Sequence, residues 1–223
     1  MIPLRDENPT QSFSFITFSL IVINSFIFFY GIFLAERLAI TLLSFTLIPY
    51  NFVNYFDFSQ FTTLFTSQFL HGNLLHLLGN MLYLWIFGNN IEDVLGHLRF
   101  LFFYLLCGVF SSLVHIFTHP QSTIPTLGAS GAISGVLGAY FLLFPRAKIL
   151  ALLPFFPFFR MVKIPAFFFL GIWAFWQFLL AISSPGGETV LDEGVAWFAH
   201  LGGFLAGILL LPFFSRGRRR KQI

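Results

Sequence analysis

Charge is what this chain has least of. Of 223 residues only 9% are charged, while 57% are hydrophobic and mean hydropathy is +0.83. A soluble domain of this length carries far more charge, so an aqueous globular fold is excluded. The few charges are also segregated, leaving long uncharged stretches that can enter hydrocarbon. A single cysteine, Cys107, lies inside an apolar run. It excludes an intramolecular disulfide and indicates no redox compartment. Neither a 20–50-residue repeat nor a soluble domain is visible, so residues 1–223 read as one membrane-embedded unit with a short polar N-terminus. The first apolar stretch is too long for a signal-peptide core and reads as a retained span. What is abundant is phenylalanine, 35 residues, which suits lipid contact. The net charge of +3 comes mainly from the tail Arg216, Arg218, Arg219, Arg220 and Lys221. At the end of a span this cluster reads as an anchor beside anionic lipid, not as a nucleic-acid site.

A helix needs ~20 apolar residues to cross a bilayer. Six segments qualify or nearly so: Phe13–Leu34, His71–Phe87, Leu98–Phe117, Leu127–Phe144, Ile164–Ser183 and Val195–Phe214. The expected fold is all-α, a polytopic bundle of six transmembrane helices. The fourth segment is short and Pro145 closes it, so one of its ends stops below the surface or the bilayer thins there. The segment Ala35–Leu70 is aromatic and amphipathic, and is expected to lie partly in the interface.

Placing the N-terminus in the cytoplasm puts eleven of the twelve Lys and Arg residues inside and only Arg37 outside. This asymmetry supports an even number of spans with both termini cytoplasmic. The expected location is a cell inner (plasma) membrane. Depth then follows from the 1.5 Å rise per residue. His76 and His200 each fall five residues into spans that start outside, ~7–8 Å down. Ser130 sits in the first turn of the short fourth span. All three reach one level of the outer leaflet if that span begins below the surface.

Polar groups in spans are costly and face the bundle interior. His76 and Asn80 are i and i+4, on one face. His200, Gly203 and Gly207 share a face, as do Ser130, Ser134 and Gly138. Gly131/Gly135 and Gly203/Gly207 are both G-x-x-x-G pairs, which let backbones approach closely. Contact between spans four and six would bring the Ser130 hydroxyl to the His200 imidazole. A serine hydroxyl needs a neighbouring base to attack, and a neutral imidazole is one. Candidate oxyanion donors are the Ser130 amide and the His76 and Asn80 side chains. No carboxylate lies in spans four or six, so the arrangement reads as a Ser–His dyad. Glu188, Asp192 and Glu193 are outside, and Glu92-Asp93 is expected in a cytoplasmic turn. His71, His97, His115 and His119 are expected at helix ends or in loops.

Each residue has a blander reading. G-x-S-G in a membrane helix is usually small-residue packing. His76 and His200 together could instead ligate haem or a metal, or belong to a transporter.

Taken in order, His71-Gly72-Asn73-Leu74-Leu75-His76-Leu77-Leu78-Gly79-Asn80, Gly88-Asn89-Asn90-Ile91-Glu92-Asp93, Gly128-Ala129-Ser130-Gly131-Ala132 and Ala199-His200-Leu201-Gly202-Gly203 resemble the motifs of rhomboid intramembrane serine proteases. The resemblance runs from about Phe65 to Leu211. It implies a six-helix core that cleaves the transmembrane segments of other proteins, within the lipid bilayer and without metal or cofactor. It implies Ser130 as nucleophile, His200 as general base, and His76, Asn80 and the Ser130 amide as oxyanion hole. It further implies a half-inserted hairpin after span one and a fifth span that gates lateral access. A non-catalytic rhomboid-like binder of membrane helices would lack Ser130 or His200, and both are present. Two positions depart from the pattern. Many members carry Trp-Arg in the first loop where this chain has Phe61 and Thr62. Some carry an aromatic residue four after the serine, where Ser134 stands here. An aromatic of span two or five is expected to hold the imidazole instead.

Overall fold

The computed structural model describes residues 1–33, 42–55, 57–155, 158–183 and 196–215. Arg37, Glu188, Asp192, Glu193 and the basic tail lie outside these. The described chain runs β1 (Ile2–Asp6), α1 (Phe15–Phe33), α2 (Pro49–Asn54), α3 (Phe58–Thr66), α4 (Leu74–Tyr83), α5 (Asn89–Leu95), α6 (His97–Thr118), α7 (Ser130–Leu143), β2 (Lys148–Phe155), β3 (Phe158–Pro165), α8 (Ala166–Ser183) and α9 (Trp197–Phe214).

Four helices, α1, α6, α8 and α9, are long and apolar enough to span a membrane, and α7 is a shorter apolar helix. The protein is a polytopic membrane bundle of helices. Exposed rings such as Phe26, Phe29, Phe102, Phe168, Phe175 and Phe213 cover its outside, the surface a lipid solvent rewards. Its centre is close-packed around Phe87, Phe100, Phe103, Tyr104 and Tyr140, none of which has exposed surface.

The second apolar run does not end at Phe87. α4 passes through a π-helical turn, Leu84–Gly88, into α5 and stops at Gly96, whose φ of 82° suits glycine. This corrects the expectation of a turn at Glu92-Asp93. Both residues are helical, and Glu92 is fully buried. Its carboxylate accepts from the Ile16 and Thr17 amides at 2.8 and 2.7 Å, from the Thr17 hydroxyl at 2.7 Å, and contacts His97 Nδ1. It thus caps the start of α1, where the macrodipole favours an anion. Asp93 accepts from the Gln11 amide and the Ser12 hydroxyl.

A three-stranded antiparallel sheet, β1-β2-β3, sits at this same end and was not anticipated. β2 and β3 pair as a hairpin from Lys148↔Pro165 to Phe155↔Phe158, and β1 lies on β2 with Asp6 opposite Ile149. Lys163 pairs with Glu7, and Asp6 accepts from Tyr140 Oη and Asn90 Nδ2 at 2.7 and 2.8 Å. The sheet gathers Arg5, Lys148 and Lys163 at one end of the bundle. Phe214, closing α9, packs on Phe103 near the start of α6, so that end of α9 is there too.

The opposite end is closed by the segment between α1 and α4. Leu47 pairs with Thr126, the Tyr50 amide donates to Ser122 O, and Leu47 buries against Leu64 and Ile116. Asp57 caps α3 by accepting from the Gln60 amide. These bonds fix the segment where Phe61 and Thr62 stand. Phe61 stacks edge-on against Phe65, and the Thr62 hydroxyl donates to Ser59 O.

Candidate active site

Three local devices set the site residues in place. Asn73 caps α4, its Oδ1 accepting from the His76 amide at 2.8 Å, which fixes the first turn and the histidine in it. Residues 119–129 run as non-helical chain, so α7 begins below its end of the bundle, at Ser130. Gly128 makes the turn into α7 with φ 127°, and its amide donates to Ser67 O at 2.9 Å. A Cβ at Gly128 would stand 2.7 Å from His76 Cε1, 2.8 Å from His76 Nε2 and 3.7 Å from Asn80 Nδ2. The glycine therefore leaves open the space those two side chains face.

The third device is the contact of α7 with α9. A Cβ on Gly203 would strike Gly131 O, and one on Gly207 would strike the backbone of Gly135. At Gly135 it would meet Cys107 and Gly203 O, and at Gly131 it would meet Ser111. The four glycines of the two G-x-x-x-G pairs thus lie at or beside one backbone-to-backbone seam, as small residues permit between membrane helices. Ser111 locks α6 onto the same seam, its hydroxyl donating to Ala199 O at 2.7 Å.

At the head of the seam His200 Nε2 stands 2.9 Å from Ser130 Oγ. The other ring nitrogen, Nδ1, lies 2.7 Å from Gln177 Oε1 on α8. With the carboxamide oxygen turned to the ring, Nδ1 is the nitrogen that donates, which leaves Nε2 to accept from the serine hydroxyl. Trp173, one turn before Gln177, lies tilted over the imidazole at 6.3 Å between centroids, and Trp197 stands edge-on at 6.1 Å. Ser134 does not touch the ring; its hydroxyl donates back to Ser130 O at 2.7 Å. Gln177 went unnoticed in the sequence. Its only signal was an amide within an otherwise apolar span, a costly group that ordinarily finds a partner.

A cavity of about 430 Å³ opens over this pair, lined among others by Ser130, His200, His76, Asn80, Gly128 and Trp173. Asn80 is buried, and its Nδ2 has no hydrogen-bond partner among the described residues. Ser130 is the first residue of α7, so no intrahelical carbonyl lies one turn back for its amide. A serine hydroxyl, an imidazole in contact with it and up to three donors therefore border one cavity. His71 lies before α4, its ring 5.2 Å from that of His76. His97 opens α6, His115 is buried in the last turn of α6, and His119 follows it. No group of three or more His, Cys, Asp or Glu gathers as a metal site among the described residues.

Comparison with known proteins bears on the same stretch. A family model described as Rhomboid domain matches residues 59–217. The chain is 33% identical over 161 residues to Rhomboid protein 1, mitochondrial, of Saccharomyces cerevisiae, covering 70% of this chain and 42% of that protein. It is 33% identical over 153 residues to Presenilin-associated rhomboid-like protein A, mitochondrial, of Danio rerio, covering 66% and 36%. With RHOMBOID-like protein 5 of Arabidopsis thaliana it shares 40% identity over 76 residues, 34% of this chain and 25% of that one. The match thus spans less than half the length of these relatives. Two of their names carry a mitochondrial location, so the plasma-membrane expectation finds no support among them. With the family model covering more than half of it, this multi-pass membrane chain belongs to the rhomboid family.

Proposed function

We propose that the protein is an intramembrane serine endopeptidase acting on transmembrane segments of other proteins by a Ser130–His200 dyad. The observation that carries this is the 2.9 Å approach of His200 Nε2 to Ser130 Oγ beneath a cavity. In the first step Ser130 Oγ bonds to the scissile carbonyl carbon while its proton passes to Nε2. The carbonyl oxygen becomes an oxyanion, stabilised by the Ser130 amide, His76 and Asn80. Collapse breaks the C–N bond, and the imidazolium returns its proton to the departing amine. Water then repeats the sequence on the acyl-enzyme, giving an acid and restoring the serine. All of it needs water from a cavity open to one side and a substrate segment that has left its helix, because helical carbonyls are already bonded. Segments with helix-weakening residues near that end of their span fit best.

In this reading residues 1–223 form one six-span domain, with Leu74–Leu95 as the second span and α7 as a short fourth. The end bearing Arg5, Lys148 and Lys163 faces the compartment where the positive-inside rule puts basic residues. The dyad faces the other. The test is cleavage of single-span substrates by purified protein, alongside labelling with a fluorophosphonate. Wild type should cleave and label, and a folded Ser130→Ala protein should do neither. Proteolysis undiminished in Ser130→Ala removes the assignment. A wild type that binds the segments yet never cuts or labels points to a non-catalytic binder of membrane helices.

A further inference from the structure

Helix α8 is apolar along its length except for Gln177 and the terminal Ser183. Gln177 is 6% exposed, and its Oε1 meets His200 Nδ1 at 2.7 Å. A buried amide in a span is costly unless it is bonded, and here the bond goes to the one imidazole that also touches Ser130. We infer that Gln177 is a positioning residue, the third member of a Ser130–His200–Gln177 relay, which holds the base as its Nδ1–H tautomer with Nε2 aimed at the serine. This rests on the proteolytic reading above.

The physical argument is about which nitrogen is bare. Nothing in an isolated imidazole makes Nε2 the acceptor, and a base protonated there cannot take the serine proton. Turned as it is here, with Oε1 on Nδ1, the Gln177 amide accepts from the ring and favours the tautomer that leaves Nε2 bare. It also stops the ring turning about χ2, which Trp173 on the same face of α8 limits from one side. The two contacts come from a helix that carries neither the nucleophile nor the base. Base geometry is therefore set by where α8 stands against α9. A neutral amide, unlike a carboxylate, adds no charge to this buried contact.

The test uses the full chain in detergent or liposomes. Gln177→Leu should lower kcat ~10–100-fold, as loss of the outer partner of a working histidine does, short of the ~10⁴ lost when a carboxylate partner is removed. KM should hardly move, because Gln177 touches the base and not the substrate. Gln177→Met, nearer in length, guards against a packing defect in the Leu variant. Gln177→Glu, whose oxygens can also accept from Nδ1, should restore turnover above both. ¹⁵N spectra of histidine-labelled protein, with His200 assigned by its loss in His200→Ala, should show Nδ1 protonated in the wild type and a mixed or reversed tautomer in Gln177→Leu. Wild-type kcat and an unchanged tautomer in a folded Leu or Met variant would overturn the inference and leave the Ser130 assignment standing. A wild type that neither cleaves nor labels would overturn the proteolytic reading, and the spectra would still judge the tautomer.

Discussion

Replacing Asn80 by leucine should make the protein slower without making it weaker. The two side chains share one branched skeleton, and Asn80 borders the cavity, which can take up the extra bulk of leucine. What is lost is Nδ2, a buried donor that bonds to nothing among the described residues and borders the space Gly128 leaves open. Loss of one oxyanion donor costs ~10²–10³ in rate, or ~2.7–4 kcal/mol of transition-state stabilisation. The cost should fall at the lower end, because the Ser130 amide and His76 share the charge. The ground state differs. Nδ2 makes no hydrogen bond to the described residues in the ground state, so leucine forfeits none by removing it. Thermal stability should hold while single-turnover cleavage at saturating substrate falls ~10²-fold. Ser130 should still label with a fluorophosphonate, though more slowly. The assays are single-turnover cleavage in liposomes and thermal unfolding in the same lipid. A folded variant cutting at the wild-type rate refutes the donor role. A large loss of stability alongside the loss of rate makes Asn80 a structural hydrogen-bonding residue.

Gly207→Val would drive a side chain into the backbone of Gly135, so it should destabilise the bundle by ~1–3 kcal/mol or more and part Ser130 from His200. Unfolding and fluorophosphonate labelling measured together check this, and full labelling with unchanged stability would deny the seam its role. Asp6 lies outside the spans, and burial raises its pKa above the ordinary 3.8 against the lowering effect of its bond from Tyr140. The folded state thus holds this proton to higher pH than the unfolded chain. Its contribution is full below ~3.8 and is lost as pH rises through the folded value. Asp6→Asn should therefore gain in Tm over the wild type as pH climbs from 4 to 7, and parallel curves would refute the assignment.

The spans could be read from sequence because lipid demands long uncharged runs, and α1, α6, α8 and α9 begin and end within two residues of the runs that announced them. The second run misled because hydropathy tracks lipid contact and not helix. α4 and α5 are one column, but the column crosses from lipid into the packed end of the protein at the π-turn, where polar residues become admissible. The sheet escaped because β1 and β2 are partners some 145 residues apart. Neither strand carries the charge-free length that marks a span. At the site, Ser130, His200, His76 and Asn80 were legible because helical periodicity and depth arithmetic place them at one level. The structure brings the first two into contact and sets the others around the same cavity. Gln177 carried no periodic signal. Its meaning depends on the packing of α8 on α9, which no spacing within one helix encodes.

The Glu92 cap has a consequence for how the chain is assembled. Spans reach the membrane in the order of synthesis, so α1 arrives with its leading amides bare, before residue 92 exists. The carboxylate that will satisfy them comes with the second apolar run, and it is itself too costly to bury until those amides receive it. Each is an incomplete group waiting for the other. α1 and the α4–α5 column are therefore each completed by the other. A chain in which the two had not met would be marked by an accessible Thr17 and a solvated Glu92, both buried in the finished fold.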